Sequence, residues 1–224
     1  MAAEWVASVE VVRATGDNGR MSERAKFVVL DGIDGCGKTT QAERLVQALA
    51  AETGGEVVHL REPGSTKEGE AIRSILLERD HVLSAGVETL LFTAARRQTL
   101  ERLVAPALDR GAHVVCERFH PSTYAYQAHA GGLDAEDVLG LLTTWAGDPE
   151  PDLVVLLDVP VSRALARRGA PTDRIEDRGA AFQERVAAGM VDYAERMDRV
   201  VRIDGVGDPD EVAERVLNEV RRVL

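Results

Sequence analysis

The chain alternates short, nearly continuous apolar runs with longer stretches whose apolar residues recur at helical spacing. This is the pattern of β–α units, whose parallel strands are buried on both faces and lose the in-out alternation of half-exposed strands. It predicts strands over 27–31, 57–60, 113–117, 153–158 and 200–203. Helices are expected over 38–51, 68–78, 87–110, 135–145, 161–167, 180–199 and 209–223. Pro106 should kink the long third helix and Gly111 should end it. Pro149 and Pro151 bracket a loop before the fourth strand, and there is no repeat or low-complexity tract. The expected architecture is a single α/β domain with a five-stranded parallel sheet covered by helices on both faces. Residues 1–20 stand apart, ending in the turn-prone Thr15-Gly16-Asp17-Asn18-Gly19. They read as a loose extension, disordered or a start-site artefact; Met21 is a candidate first residue of the functional chain, and the domain runs over 21–224.

Charge narrows the partners. Across 224 residues, 27 lysines and arginines face 38 aspartates and glutamates, a net charge of −11. That balance argues against a general nucleic-acid or anionic-membrane binder, since both need a positive field. An anionic ligand must be met by a local cluster of cations. Two cysteines, Cys36 and Cys116, make no secreted-type disulfide framework and point to a reducing compartment, and no zinc-ligand spacing occurs. No apolar run approaches the roughly 18 residues that span a bilayer, and no leader pattern opens the chain. The expectation is a soluble, cytoplasmic protein.

One such cluster can be read directly. The first strand runs into Gly32-Ile33-Asp34-Gly35-Cys36-Gly37-Lys38-Thr39, which fits G-x-x-x-x-G-K-[ST] and opens a helix, with Thr40 next in line. Its glycines let backbone N–H groups wrap a phosphate chain, and the helix N-terminus adds partial positive charge. Lys38 would meet the β and γ phosphates of a nucleoside triphosphate, and the Thr39 hydroxyl a Mg²⁺ ion. Further arginines follow strands or lie in helices: Arg61, Arg96-Arg97, Arg118, and the group from Arg167-Arg168 through Arg174 to Arg178. In a doubly wound sheet the strand ends gather at one edge, so these guanidinium groups should converge there. No guanine-reading Asn-Lys-x-Asp segment is present, which argues against a GTPase switch.

The ordered segments LDGIDGCGKTTQ (30–41), LREPGST (60–66), ETLLFTAARRQ (88–98), PALDRGAHVVCERF (106–119), STYAYQ (122–127), PDLVVLLDV (151–159) and DRIED (173–177) resemble thymidylate kinase, which phosphorylates dTMP with ATP. The resemblance implies a P-loop nucleoside monophosphate kinase fold, ATP and Mg²⁺, dTMP as acceptor in dTTP synthesis, and a homodimer built on helices such as 87–110. It implies that Asp34 accepts the sugar 3′-hydroxyl, Phe92 stacks on thymine, and Arg96 reaches the base. Arg61 and Arg118 would serve the monophosphate, Thr123 and Gln127 the base edge, and Tyr126 would crowd C2′. Residues 168–178 would form a lid over ATP. Gly35 and Cys36 follow Asp34 with no arginine in the cradle, so the catalytic arginine is expected from the lid, as Arg168 or Arg174. Two departures stand out, Ser65 where a second glycine is usual and Glu117 for a usual aspartate beside the metal; Asp158 is a competing carboxylate for the metal, ranked after Glu117.

A phosphate acceptor is already anionic and needs no general base. His59, His81, His113, His120 and His129 share no spacing with a carboxylate. Catalysis should rest on Lys38, Mg²⁺, Arg118 and lid arginines, which bring two anions into line and stabilise the moving phosphoryl group. An oxidative link between Cys36 and Cys116 is a minor further expectation. The alternatives are a kinase for another deoxynucleotide or a deoxynucleoside, or a nucleotide-binding regulator.

Overall fold

A computed structural model describes residues 9–13, 24–171 and 173–224. Most of the expected extension, Met21 included, lies outside the described residues, as does Thr172 of the lid segment.

The elements in order are β1 (Glu10–Arg13), β2 (Phe27–Asp31), α1 (Lys38–Thr53), β3 (Glu56–Arg61), α2 (Lys67–Leu77), α3 (Ala85–Thr99), a π turn (Leu100–Val104) and α4 (Ala105–Asp109). There follow β4 (His113–Glu117), α5 (His120–Thr123), a second π turn (Tyr124–His129), α6 (Ala135–Ala146), β5 (Leu153–Asp158), α7 (Val161–Arg168), a 3₁₀ turn (Glu176–Arg178), α8 (Ala180–Arg196), β6 (Val200–Asp204) and α9 (Pro209–Arg221). The sheet runs β1-β3-β4-β2-β5-β6, six strands rather than the expected five. The additional one, β1, is antiparallel to β3 and sets Glu10 opposite His59. It is only four residues long and largely exposed, so it has no buried run for a sequence pattern to reveal.

Every residue of β2 and β4 is buried, which is why both read as unbroken apolar text. Their parallel register sets Leu30 beside Glu117, and β3 sets Arg61 beside Glu117 as well. Three strands thus deliver Asp31, Arg61 and Glu117 to one edge of the sheet. Helix α1 covers the core with Ala42, Leu45, Val46 and Leu49, spaced one helical turn apart. It stops at Gly54, whose φ of 69° suits a residue without Cβ. Thr66, Ser84, Asp134 and Asp208 cap α2, α3, α6 and α9 by accepting backbone N–H bonds.

The long helix expected over 87–110 is divided. Helix α3 begins at Ala85 and gives way to the π turn at Leu100, after which Pro106 occupies the first turn of α4. The backbone stays helical through this change, and the widened turn lies just ahead of Pro106, where the ring and missing N–H must be accommodated and a kink was expected. Among the described residues, no helix is long and apolar enough to cross a membrane.

Candidate active site

The cradle leaves β2 with its glycines at positive φ, and one of them is tightly enclosed. A Cβ on Gly35 would lie 2.1 Å from the Ala164 carbonyl oxygen and 3.2 Å from Cβ of Arg168. Helix α7 therefore rests directly on the cradle, and no larger residue fits at Gly35. Lys38 closes the loop, its Nζ donating to the carbonyls of Gly32 and Ile33 at 2.9 Å each. Gly32, Ile33 and Cys36 are turned toward the core, while Asp34, Gly35, Gly37, Lys38, Thr39 and Thr40 line a cavity of about 520 Å³.

Thr39 Oγ1 donates to Glu117 Oε2 at 2.6 Å, and the other carboxylate oxygen lies 3.1 Å from His59 Nε2. Burial alone would raise the Glu117 pKa; the hydrogen bonds from His59 and Thr39, with the Lys38 charge nearby, hold it below the ordinary value. A hydroxyl and a carboxylate are hard oxygen donors suited to Mg²⁺, which takes few protein ligands and keeps phosphate and water oxygens. No cluster of three or more His, Cys, Asp or Glu able to hold a metal occurs among the described residues. Asp158 is engaged elsewhere, paired with Arg202 at 2.5 Å and outside the cavity lining.

Across the cavity, Asp34 pairs with Arg118 and accepts a 2.8 Å hydrogen bond from the Tyr126 hydroxyl. Burial works to raise the Asp34 pKa; Arg118, Lys38 and Tyr126 more than offset it and hold the carboxyl well below the carboxylate range. Arg118 has a left-handed backbone, φ 66°. The buried Asp31 carboxylate fastens the turn that permits it, accepting from the backbone N–H groups of Phe119 and Ser122 at 3.0 Å and from Ser122 Oγ at 2.7 Å. Ser65 is also left-handed, φ 63°, and its Oγ exchanges 3.0 Å hydrogen bonds with the backbone of Arg61, so the departure from glycine is compensated locally.

Phe92, Arg61, Arg96, Thr123 and Gln127 line the same cavity. Arg96 is buried, bonded through Nε to Glu62 at 2.6 Å and through Nη1 to Thr123 Oγ1 at 3.2 Å, whereas Arg97 faces outward onto Glu101. Gln127 Nε2 donates to Glu88 Oε2 at 2.9 Å. The lid arginines differ from one another. Arg174 and Arg178 both pair with the buried Glu88, and Arg174 also donates to the Leu76 carbonyl, 2.8 Å from Nη2. Arg168 and Arg174 are both absent from the cavity lining, which includes Arg167 instead. Arg168 Nε and Nη1 are buried without a hydrogen-bond partner.

Sequence reasoning missed several of these groups. Arg73 lines the cavity; burial, together with the charges of Arg61 and Arg118, lowers its pKa, the signature of cations crowded together. On an amphipathic helix such an arginine looks like any solvated one. Glu88, an acid opening an apolar stretch, was the more visible signal. His59 contacts a carboxylate after all, Glu117, because β3 and β4 are neighbours in the sheet though 58 residues apart in the chain. Cys36 and Cys116 are free thiols, and burial pushes the Cys116 pKa up, which makes that thiol a poor nucleophile.

The thymidylate kinase family model matches residues 30–216. A thymidylate kinase of Gluconobacter oxydans (strain 621H) is 43% identical over 210 residues, covering 91% of this chain and 98% of the relative. One of Desulfosudis oleivorans (strain DSM 6200 / JCM 39069 / Hxd3) is 42% identical over 208 residues, with 88% and 97% covered. One of Synechococcus sp. (strain CC9902) is 41% identical over 203 residues, with 87% and 97% covered.

Proposed function

The chain belongs to the thymidylate kinase family and phosphorylates dTMP with ATP, and we propose that the γ-phosphoryl group passes directly and in line between two walls of one cavity. The observation that carries this reading is that Lys38, Thr39 and Glu117 share a cavity of about 520 Å³ with Asp34, Arg118 and Tyr126. The first group suits the triphosphate of ATP, the second the sugar and phosphate of dTMP.

On the donor side, the backbone of residues 32–40 wraps the phosphates and Lys38 neutralises the β and γ oxygens. Magnesium, when bound, spreads the charge of the transferred group, and Thr39 and Glu117 are the residues that would hold it, directly or through water. On the acceptor side, Arg61, Arg73 and Arg118 bind the dTMP phosphate, and Asp34 accepts the 3′-hydroxyl. Phe92 stacks on thymine, Arg96, Thr123 and Gln127 meet its edge, and Tyr126 crowds C2′. The acceptor oxygen is charged near neutral pH, so no side chain need remove a proton. What the protein supplies is alignment and positive charge.

For the lid we assign the transition-state contact to Arg168 rather than Arg174. Two nitrogens of Arg168, Nε and Nη1, are buried without partners beside Gly35, while Arg174 is committed to Glu88 and the Leu76 carbonyl. An unpaired buried guanidinium gains most from an arriving phosphate. The chain also acts as a homodimer in this reading: α3 and α6 expose Val87, Leu90 and Trp145, apolar surface that a second copy would cover. Two free thiols favour a reducing, cytoplasmic location.

The test is stereochemical. ATP made chiral at the γ phosphorus should give dTDP with inverted configuration, and retention would reveal a covalent phosphoenzyme and end the direct-transfer reading.

A further inference from the structure

We propose that His59 is a positioning residue for the metal-side pair Thr39–Glu117, holding Glu117 so that it takes the Thr39 proton and leaves the Thr39 lone pairs turned to the cradle. The inference rests on the reading that Thr39 and Glu117 serve the metal. A threonine hydroxyl carries one proton and two lone pairs, and the group that accepts the proton fixes which way the lone pairs point; here Glu117 Oε2 accepts that hydrogen bond at 2.6 Å. Glutamate has three side-chain torsions, and a carboxylate anchored at one oxygen alone can still swing. His59 supplies the second anchor, its Nε2 lying 3.1 Å from Oε1. The acceptor is a carboxylate, so the proton of that contact belongs to Nε2.

Both groups are enclosed, their side chains 11% and 6% exposed, which leaves little solvent to compete for either oxygen. The placement follows from the sheet. His59 sits on β3 two residues before Arg61, and Arg61 pairs in register with Glu117. Behind the ring, β1 brings Glu10 opposite His59, with its carboxylate 3.8 Å from Nδ1, within ion-pair reach and beyond hydrogen-bond length. The short edge strand therefore stands at the outer end of a line running Glu10, His59, Glu117, Thr39.

The experiment measures Mn²⁺ binding to the ADP-loaded protein by electron paramagnetic resonance, beside steady-state rates and unfolding midpoints. His59→Phe keeps the ring and removes the donor; it should weaken Mn²⁺ binding by about tenfold, within the range for losing the partner of a metal ligand, and leave the KM for dTMP within twofold. His59→Gln, whose amide can donate, should recover most of the loss. Mn²⁺ binding by His59→Phe within twofold of the unmodified protein overturns the proposal, as does a His59→Gln variant as weak as His59→Phe. Thr39→Val is the companion variant. If it weakens Mn²⁺ binding and His59→Phe does not, only the positioning role fails; if Thr39→Val has no effect, the metal assignment fails and this proposal with it. Should His59→Phe not fold, ¹⁵N spectra of the unmodified protein decide, a proton on His59 Nε2 being expected and a bare Nε2 overturning the idea.

Discussion

The cradle over 32–40 and the segment over 168–178, the two parts we assign to the donor nucleotide, are held in opposite ways. In the cradle, Lys38 bonds carbonyls five and six residues back, and the Cys36 N–H reaches the Ile33 carbonyl at 3.2 Å. In the lid, Arg174 reaches Glu88 and Leu76, 86 and 98 residues away, and Arg79 donates to the Pro171 carbonyl at 2.7 Å. The cradle is thus fixed by its own backbone, whereas the lid is fastened by side chains to helices laid down much earlier in the chain. One fully buried carboxylate, Glu88, carries two lid guanidinium groups and the Gln127 amide. Local closure gives a rigid anion site; fastening by side chains gives a segment whose position depends on a few distant groups, Glu88 foremost, with the Leu76 carbonyl and Arg79 beside it. It also ties the lid to the base-side wall.

Four measurements would break or sharpen that contrast. The largest effect is expected in the cradle: Lys38→Met should reduce turnover about a thousandfold, as removal of a central electrostatic stabiliser does, with unchanged circular dichroism, and near-normal dTMP phosphorylation would refute the cradle's role. Next comes the fastening itself. Glu88→Gln leaves two guanidinium groups without their counter-charge and should lower unfolding stability by about 3 kcal/mol in denaturant titration, while the affinity for ATP measured by calorimetry stays within a few-fold of the unmodified protein. Third, within the lid, Arg168→Ala should lower kcat about a hundredfold with little change in the KM for dTMP. Arg174→Ala should cost about tenfold in this comparison; if Arg174→Ala proves the more damaging of the two, the assignment to Arg168 is wrong.

The smallest effect concerns pH, at a buried histidine outside the cavity lining. His120 stacks on Phe119 at 4.2 Å and its Nε2 lies 2.8 Å from the Ala146 carbonyl. Burial, with the Arg96 charge nearby, pushes its pKa down to about 3. Between pH 6.5 and 3 the unfolded chain therefore takes up a proton that the fold refuses. The stability this group supports is complete above 6.5 and is lost as pH falls, with a slope approaching ~1.4 kcal/mol per unit. Glu62 works in the other direction. Burial raises its pKa to about 7 against the opposing pull of Arg96, so from pH 7 down to 4.5 the fold gains the proton first and is stabilised. The informative quantity is consequently the difference between the unmodified protein and His120→Asn in urea titrations at pH 7, 6 and 5. A gap that fails to change with pH would mean His120 carries no such penalty.

The same contrast explains what could be read in advance. The five parallel strands and the cradle were legible because each is written in contiguous residues, an apolar run or a glycine-punctuated loop. That Phe92, Arg96 and Tyr126 line one cavity was legible only through resemblance, since individually they look like core or surface residues. Glu88, Arg73 and His59 acquire meaning from partners that the topology brings together across long stretches of chain, as when β3 meets β4 and carries His59 to Glu117. The π turns were hidden for a related reason. Their sequence, Leu100–Val104 and Tyr124–His129, keeps helical spacing; one lies just ahead of Pro106 and the other packs against α8, neither of which the spacing reveals.

The antiparallel strand at the sheet's margin has a bearing on colloidal behaviour. Without β1, the outer row of N–H and C=O groups on β3 would be an open template for a strand from another molecule. As built, that margin is occupied by four residues, begins with Glu10, and ends with Arg13, clamped to Glu56 at 2.6 Å. A chain started at Met21 would lose Arg13 with the strand, keep its cradle and the arginines that line the cavity, and precipitate at concentrations the longer chain tolerates.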